Sequence, residues 1–283
     1  MIALLLACQQ PDFSQEWELD RLRLLAIRAE PAEPRPGEVV QFSALRYVPD
    51  GAEWSALWIA CVAGSEQGCS FDPALLERLE TIDQLSQQEL MQLIADLQAA
   101  GLIGIQPGFD PVWPVPEDAL AGLSDAEALE GLSATIQVNL GTEADQELVL
   151  KSIPVSLAAT PNHNPDVVGM LVGQVPHSGA PVRVQGGRPI DLVATASPIE
   201  SYQYTTTDGT VEERSESYSW RWYINGGELG TDLGAPTLPD AEEGVLSIFT
   251  WTPPKEPGAY EVDVVVLDGR GGMGWRTVDF EVE

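Results

Sequence analysis

The sequence predicts a mainly β protein made of two β-sandwich domains, the first of which carries a helical insertion. Three observations lead to this prediction. The 283 residues include 22 Pro and 26 Gly, which is typical of a fold with many turns. Short segments that alternate apolar and polar residues recur along the chain, as in half-buried strands. One arrangement, a Gly-marked turn followed by a strand and then by a Trp-bearing strand, occurs twice.

The two copies of this arrangement define two domains. In the first copy, Val40, Phe42 and Ala44 fall on one face of a predicted strand, and WSALWIAC follows. In the second copy, the strand is Ile190–Ala196 and YSWRWYING follows. A chain of this length can bury a core in each of two domains. The predicted boundaries are residues 1–16 for an N-terminal tether, 17–160 for the first domain and 161–283 for the second.

The C-terminal third shows its strands most clearly, at SYSWRWYI, VLSIFTW, GAYEVDVVVLD and WRTVDFEVE. This succession of Trp-rich, aromatic and valine-rich strands resembles bacterial immunoglobulin-like domains of the PKD and cadherin-like kind. The resemblance covers about the last 120 residues and implies an immunoglobulin-like sandwich. Large aromatics are expected to fill the space between the two sheets. The predicted aromatic core residues are Trp220 or Trp222, Phe249, Trp251 and Tyr260.

A segment of different character, residues 72–131, is predicted to be a helical insertion in the first sandwich. Asp72-Pro73 is typical of a helix start. Ser86 with Glu89 predicts a capping box for a second helix, which Gly101 ends, and Ser124 with Glu127 predicts a third. Leu90, Ile94 and Leu97 are the expected apolar face of the second helix. The insertion would either cover a sheet edge or present a binding surface.

The charge balance excludes one class of partner. The chain has 44 Asp and Glu against 14 Lys and Arg, a formal net charge of −30. Such a surface repels the phosphate backbone of nucleic acid and anionic lipid head groups. We therefore expect no nucleic-acid partner. Loose binding of divalent cations would need oxygen ligands that converge on one point.

The N-terminus predicts a membrane anchor. Leu5-Leu6-Ala7-Cys8 resembles the lipobox of bacterial lipoproteins, and a polar stretch, QQPDFSQEWE, follows it. The resemblance implies removal of a signal peptide, acylation of Cys8 and, because Gln9 rather than Asp follows the cysteine, a position at the outer membrane. More than one acyl chain, palmitate among them, would make the anchor durable. The alternative is a buried N-terminal strand with an inert Cys8.

Cys61 and Cys69 are predicted to form a disulfide. Gly64 and Gly68 lie between them, so the chain can turn back on itself. In an exported protein this pattern favours a disulfide, which would stabilise the fold by about 2.5 kcal/mol in the chain-entropy model. Zinc is the competing interpretation, but the two histidines of the chain, His163 and His177, are distant in sequence.

The linker ATPNHNPDVV offers weak candidates for calcium ligands. It resembles the Asn-Pro linkers between cadherin-like domains, in which side-chain oxygens bind calcium. The simpler interpretation is a hinge rich in turns. The candidate residues are Asn162, Asn164, Asp166 and, from the end of the valine-rich strand, Asp268.

The segment Gly269–Gly274 satisfies the pattern G-x-G-x-x-G, but the residues after it read as a strand. Without a helix N-terminus no row of free N–H groups can hold a pyrophosphate, so we expect a hairpin turn and no cofactor. No catalytic motif or metal motif stands out. The sequence predicts a non-catalytic lipoprotein of the cell envelope that binds or scaffolds other envelope proteins or glycans. The alternatives are an envelope hydrolase with carboxylates in the insertion and a calcium-stiffened spacer.

Overall fold

A computed structural model describes residues 16–49, 51–62, 75, 78, 85–197, 199–205, 210–230 and 245–283. Within these ranges the protein is mainly β, as predicted, and forms two sandwiches. The predicted tether and lipidation site, Cys8, lie outside the described residues. So do Cys69 and the predicted helix start at Asp72-Pro73.

The first domain packs a three-stranded sheet against a four-stranded sheet. The three-stranded sheet has the order β1-β2-β5, and the four-stranded sheet has the order β4-β3-β6-β7. Their strands are β1 (Arg23–Glu30), β2 (Val39–Tyr47), β3 (Trp54–Val62), β4 (Leu102–Gln106), β5 (Val112–Pro114), β6 (Leu132–Thr142) and β7 (Gln146–Val155). Val40 and Phe42 of β2 are buried, and the Phe42 ring lies 5.9 Å from that of Trp58 in the facing sheet. The predicted inward face of β2 is confirmed.

The segment predicted as a helical insertion contains helices, but it also supplies strands to both sheets. The helices are α1 (Gln87–Ala99) and α2 (Asp125–Glu130), and both begin with the predicted capping boxes. Between them, β4 pairs with β3, and β5 pairs with β2. The predicted helical insertion, about residues 72–131, therefore contains two strands that the sequence analysis missed, and the prediction is wrong for these two segments. The short apolar runs in β4 and β5 are long enough for strands of a sandwich and too short for helices.

The buried face of α1 is displaced from the predicted one. Leu93 and Leu97 are buried, whereas Ile94 is 40% exposed. The two buried leucines pack on Leu102 and Leu57, so α1 covers the outer face of β3 and β4. Gly101 follows the helix with a positive φ of 101°, as its predicted role at the helix end requires.

The second domain packs a four-stranded sheet, β10-β18-β17-β14, against a five-stranded sheet, β15-β16-β11-β8-β9. A separate two-stranded hairpin consists of β12 and β13. The strands are β8 (Val167–Val172), β9 (Val175–Pro176), β10 (Val182–Val184), β11 (Ile190–Ala196), β12 (Ser201–Thr205), β13 (Val211–Ser215), β14 (Ser219–Ile224), β15 (Glu228–Leu229), β16 (Leu246–Thr252), β17 (Gly258–Leu267) and β18 (Met273–Val282).

The core of the second domain contains the predicted aromatics. Trp251 and Phe249 are buried, and Trp220, Trp222 and Tyr260 are partly buried against the same cluster. The Trp222 and Phe249 rings stack with their centres 4.8 Å apart. The aromatic residues therefore fill the space between the two sheets, as predicted.

The two domains pack directly on each other. Leu25, Ala26 and Leu45 on the outer face of the β1-β2-β5 sheet form one buried cluster with Tyr223 and Val265 of the second domain. β1 and β17 are thus covered on both faces, which accounts for their nearly continuous apolar runs. The interface is part of the folded core of the protein rather than a loose hinge.

The N-terminal described segment belongs to this interface. Leu19 N–H donates to the carbonyl of Ile224 at 2.8 Å, and Ile224 N–H donates to the carbonyl of Trp17 at 3.0 Å. Trp17 also packs on the core of the second domain. Residue 17, which the predicted boundary assigns to the first domain, thus lies in a segment that pairs with β14 of the second domain.

Candidate functional site

The glycine-rich turn between β17 and β18 reaches the junction of the two domains. The Asp268 carboxylate accepts hydrogen bonds from the backbone amides of Arg270, at 2.7 Å, and Gly272, at 2.9 Å. Gly269 and Gly271 have positive φ angles of 80° and 111°, which favour glycine. The turn joins two antiparallel strands and precedes no helix, as predicted from the sequence. It holds Arg270 toward the first domain.

Arg270 joins the two domains through two buried carboxylates. One terminal nitrogen of its guanidinium lies 3.0 Å from Oε2 of Glu33, in the first domain. The other lies 3.3 Å from Oε1 of Glu216, in the second. The guanidinium carbon also lies 4.2 Å from the ring centre of Tyr202. Charge pairing and the aromatic contact therefore fix this side chain at the domain boundary.

Glu33 accepts further hydrogen bonds from the end of the first domain and from the linker, which lie beside it in space. The Ser156 hydroxyl donates to Oε1 at 2.5 Å, and the Asn162 backbone amide donates to Oε2 at 2.7 Å. The Glu33 carboxylate thus links the end of the first domain, the linker and Arg270. Burial of a charged group is tolerated where all of its hydrogen-bonding capacity is used in this way.

Two other ionisable groups of the junction have shifted pKa values. Lys151 is 6% exposed, and its ammonium donates to the carbonyl of Gly271 at 2.5 Å. Burial lowers the pKa of Lys151 to about 8, and the nearby Asp268 carboxylate opposes this shift. Burial, followed by the proximity of Asp268, raises the pKa of Glu216, while Arg270 opposes the change. These groups make the junction sensitive to pH.

The residues named as weak calcium candidates all lie near this junction, and most of their polar atoms contact protein groups. Asn162 Oδ1 is buried without a hydrogen-bond partner among the described residues. The Asn162 side-chain amide donates to Asp268 at 2.8 Å. That of Asn164 donates to the carbonyl of Ala29, and Asp166 pairs with Arg28 at 2.7 Å. Among the residues that the structure describes, no three His, Cys, Asp or Glu side chains are grouped so as to hold a metal ion.

A groove of about 430 Å³ opens beside Arg270, with walls from both domains. The first domain and linker contribute one wall, and the β12–β13 hairpin contributes the other. Tyr204 and Leu129 are 39% and 49% exposed, so the groove offers aromatic and aliphatic surface to a ligand. The lining residues are Glu33, Leu129, Glu130, Pro154, Ala158, Ala159, Thr160, Tyr202, Gln203, Tyr204, Val211 and Arg270.

A second depression of about 450 Å³ continues along the linker and shares Ala159, Thr160 and Arg270 with the groove. It contains His163 and Glu200, whose Nδ1 and Oε2 atoms are 3.2 Å apart. Ser201 also lines it, but the Ser201 hydroxyl contacts that of Ser215 at 3.4 Å. His163 and Glu200 are both well exposed. The arrangement therefore resembles a polar surface for ligand binding more than an activated nucleophile.

Three carboxylates of the predicted insertion have structural partners. Glu89 and Glu127 complete the two capping boxes, and Asp96 pairs with Arg78 at 2.9 Å. Hydrogen bonds from Ser86 and from Ser124 lower the pKa of Glu89 and of Glu127, respectively. These groups cap helices and pair with cations, which are structural roles. The absence of a catalytic site stays a prediction.

The predicted disulfide lies only partly within the described residues. Cys61 is near the end of β3 and half-buried, while Cys69 lies outside them. The pairing therefore stays a prediction. As for membrane insertion, none of the helices within the described ranges has the length and apolar character needed to span a bilayer.

The junction was not predicted from the sequence, although two signals were available. LRLLAIRAE contains an apolar run on both faces of a strand, which is typical of a strand that is covered on both sides. Asp208-Gly209, between YQYT and VEERS, is a common hairpin-turn signal. The contact of Arg270 with Glu33 joins residues that are far apart in sequence, and no local pattern indicates it.

Comparisons with known proteins place the chain in no family. No protein-family model matches it, and no curated protein matches it. Among solved structures, it is similar to the dimeric latent PorU of Porphyromonas gingivalis, with 12% identity, a TM-score of 0.25 and coverage of 94% of this chain and 24% of that one. A chimeric titin Z1Z2 tandem gives 13% identity, a TM-score of 0.24 and coverage of 92% and 97%. Alpha-2-macroglobulin of Escherichia coli gives 12% identity, a TM-score of 0.25 and coverage of 96% of this chain and 22% of that one.

The chain thus spans about a quarter of the length of PorU and less of the macroglobulin. At these TM-scores the similarities carry no argument about function.

Proposed function

We propose that the protein is a non-catalytic lipoprotein of the bacterial cell envelope, which binds or scaffolds an envelope partner through the groove between its two domains. The observation that carries the proposal is the buried Arg270–Glu33 ion pair beneath that groove. Both walls of the groove are held in place by this contact and by the apolar interface beside it. A preformed groove avoids the entropy cost of assembling a binding surface from two mobile domains.

The chemistry of the groove supports binding rather than catalysis. Its exposed lining is tyrosine, aliphatic side chains and glutamate. Tyrosine is favoured in binding surfaces because it provides a large contact area at a small cost in conformational entropy. The charged groups at its floor, Arg270 and Glu33, already neutralise each other. They would therefore shape the groove and have little capacity left for acid–base chemistry.

The membrane anchor is the second part of the proposal and depends on Cys8. Nine residue steps separate Cys8 from Trp17, which is fixed to β14, so the intervening chain reaches at most about 30 Å. An acylated Cys8 would hold both domains near the membrane surface, at the outer membrane if Gln9 acts as it does in similar lipoproteins. This position would favour partners that are themselves in the envelope.

Site-specific photo-crosslinking in intact cells tests the binding role. Tyr204→p-benzoylphenylalanine places the probe in the groove, and Val175→p-benzoylphenylalanine places it on β9, at a site that is 68% exposed and lines neither depression. We expect adducts of defined mass from position 204 and none of the same mass from position 175. Equal adducts from both positions, or none from either, would contradict the proposal.

The anchor is tested separately. Expressed with a complete signal peptide, the protein should carry acyl mass on Cys8 and partition into the detergent phase, whereas Cys8→Ser should remain in the aqueous phase or unprocessed. Equal partitioning of the two forms would show that Cys8 is not an anchor. This result would remove the anchor from the proposal and leave the binding role of the groove to the crosslinking test.

A further inference from the structure

Within the part of the chain that the structure describes, no third strand pairs with the β12–β13 hairpin, so both of its edges are free there. The hydrogen-bond pattern identifies the groups on these edges. The amide of Glu216 donates to the carbonyl of Glu200 at 3.0 Å, and the pairing continues without a shift to Ser201↔Ser215 and Gln203↔Glu213. Because hydrogen-bonded and non-hydrogen-bonded pairs alternate in an antiparallel ladder, the last two pairs are of the non-bonded type. Their backbone N–H and C=O groups therefore point away from the hairpin, on opposite edges.

The two edges differ in the way they are protected. β13 carries Glu212, Glu213 and Arg214, and charged side chains on an edge strand discourage the addition of another strand. β12 has the sequence SYQYT, with no charge and no proline. Among the described residues, the outward backbone groups of Ser201 and Gln203 have no hydrogen-bond partner. β12 is thus an unprotected edge, and β13 is a protected one.

The unprotected edge is the one that faces the groove. Tyr202, Gln203 and Tyr204 are consecutive residues of β12 and all line the groove, and Ser201 lines the adjoining depression. Side chains alternate between the two faces of a strand, so three consecutive lining residues indicate that β12 presents its edge, rather than one face alone, to the groove. Of β13, only Val211 lines the groove.

The charges around this edge determine the kind of segment that fits. Arg270 is paired with Glu33 and Glu216, and Arg214, whose guanidinium carbon lies 3.7 Å from the Tyr204 ring centre, is paired with Glu212. This leaves Glu130 as an acidic group in the groove and Glu200, with His163 beside it, in the adjoining depression. The formal net charge of −30 adds a negative field over the whole surface. An extended segment with Lys or Arg side chains matches this potential, whereas an acidic one is repelled.

We propose that the groove binds an extended, basic segment of a partner protein, which pairs as an additional strand with the free edge of β12. The main-chain hydrogen bonds would come from Ser201 and Gln203, and the tyrosines and acidic groups would select the side chains. This inference rests on the proposed binding function, because it names the class of partner and the mode of binding.

Substitution by proline tests the role of the edge directly. Gln203→Pro removes an outward N–H from β12. It removes no hydrogen bond of the hairpin, because this N–H points away from β13, and proline is tolerated at such edge positions. Glu213→Pro does the same on the opposite edge and is the matched control. The probe is the capped octapeptide acetyl-(Val-Lys)4-amide, which is titrated into the 15N-labelled full chain and followed by NMR.

We expect the amide signals of Ser201–Tyr204 to shift with the lysine peptide. Gln203→Pro should raise the dissociation constant at least tenfold, and Glu213→Pro should leave it within twofold. A peptide of the same sequence with an N-methyl group on every residue keeps its charges but has no N–H left to donate to β12, so it should bind at least tenfold more weakly. The glutamate analogue should not bind.

Equal affinity of the N-methylated and unmodified peptides would overturn the proposal, because it would show attraction by charge alone. An equal loss of peptide affinity in both proline variants, or the absence of NMR shifts in the amides of β12, would also overturn it. Because this titration needs no cell envelope, its failure is separable from that of the proposed function. If adducts form at position 204 in cells but the lysine peptide does not bind, the proposed binding function of the groove is kept and the addition of a strand to β12 is excluded.

Discussion

Arg270 and Glu33 form an ion pair of 3.0 Å across the boundary between the two domains, with 16% and 7% of their side chains exposed. Opposite charges in a poorly solvated site attract strongly, but each loses its hydration on burial. A buried pair of this kind therefore adds little stability relative to apolar residues, while the loss of one partner is costly. The pair also fixes the relative position of the domains, since its two members lie in different domains.

Arg270→Met is expected to lower the free energy of unfolding by about 3 to 5 kcal/mol, because it leaves the Glu33 and Glu216 carboxylates buried without a cation. Urea denaturation of the full chain at pH 7 measures the change. Arg183→Met is the control, because Arg183 forms a 3.0 Å pair with Glu281 in which both side chains are more than half exposed. It should lower the free energy of unfolding far less than Arg270→Met does. Similar losses in the two variants would show that the junction pair is effectively solvated.

Local pattern predicted the strands and turns of this protein well. The alternation of apolar and polar residues in β2 and β11 depends only on which face of the strand is buried. Each of the two capping boxes depends on contacts between residues three positions apart in the sequence. The glycine-rich turn was also predicted correctly, because the strand that follows it is legible in the sequence.

The interface and the groove depend on contacts between distant residues and could not be predicted in the same way. Leu25 and Val265 meet only because the two sandwiches pack on each other, and the sequence contains no local record of that arrangement. The same holds for the position of Arg270 above Tyr202. The incorrect face assigned to α1 has a related cause, since Leu93 is buried by β4, which had been predicted as part of a helical segment.

The stability of the protein should fall as the pH rises from about 4 to 8, in part because of Asp263. This residue is fully buried on β17, and its Oδ1 accepts a 2.5 Å hydrogen bond from Thr277. Its Oδ2 has no hydrogen-bond partner among the residues that the structure describes. Burial, followed by the proximity of Glu261, raises the pKa of Asp263 to about 8. The native state therefore holds a proton that the unfolded state releases at lower pH, so its stabilising effect is complete below pH 4 and is lost as the pH rises through 8.

Asp263→Asn should remove most of this pH dependence, because an amide does not titrate in this range. The amide oxygen can still accept the hydrogen bond from Thr277. Denaturation midpoints at intervals between pH 5 and 8 measure the slope. Asp191→Asn is the matched control, since Asp191 accepts a 2.7 Å hydrogen bond from Thr250 on the exposed side of β11. It should keep the wild-type slope. A wild-type slope in Asp263→Asn would mean that Asp263 does not titrate in this range.

Trp251→Ala should lower the free energy of unfolding by about 3 to 5 kcal/mol, because it leaves a cavity in the core of the second domain. The Trp251 side chain is fully buried, lies 4.5 Å from the ring centre of Phe280, and donates a 2.9 Å hydrogen bond to the carbonyl of Gly226. Tyr204→Ala, at an exposed aromatic, should cost less than 1 kcal/mol by the usual behaviour of surface positions. Urea denaturation compares the two, and equal losses would contradict the core assignment.

Cys61 and Cys69 should both resist alkylation when the exported protein is unfolded without a reductant, because the predicted disulfide blocks their thiols. Mass spectrometry should find both labelled only after reduction. Loss of the disulfide in Cys61→Ser should cost about 2.5 kcal/mol in the chain-entropy model, which a melting curve would detect. Free thiols at both positions in periplasmic material would exclude the disulfide.

Gly274→Ala should destabilise the protein by about 1 to 3 kcal/mol through overpacking of the linker. A side-chain carbon at Gly274 would overlap the carbonyl oxygen of Pro165, which is backbone and has little freedom to move. The close approach of β18 to the linker, and not a nucleotide, thus explains the last glycine of the G-x-G-x-x-G pattern.

Gly141→Ala is the matched control for this position, since Gly141 is also in a strand and has no positive φ. A side-chain carbon there would make only ordinary contacts, with the Gln146 side chain and the carbonyl oxygen of Asp145. It should change the free energy of unfolding by less than about 0.5 kcal/mol. Thermal melts with and without NAD complete the test, because a ligand that binds the native state raises its midpoint. We expect NAD to leave both midpoints unchanged. A rise that Gly274→Ala abolishes would instead assign the turn to dinucleotide binding.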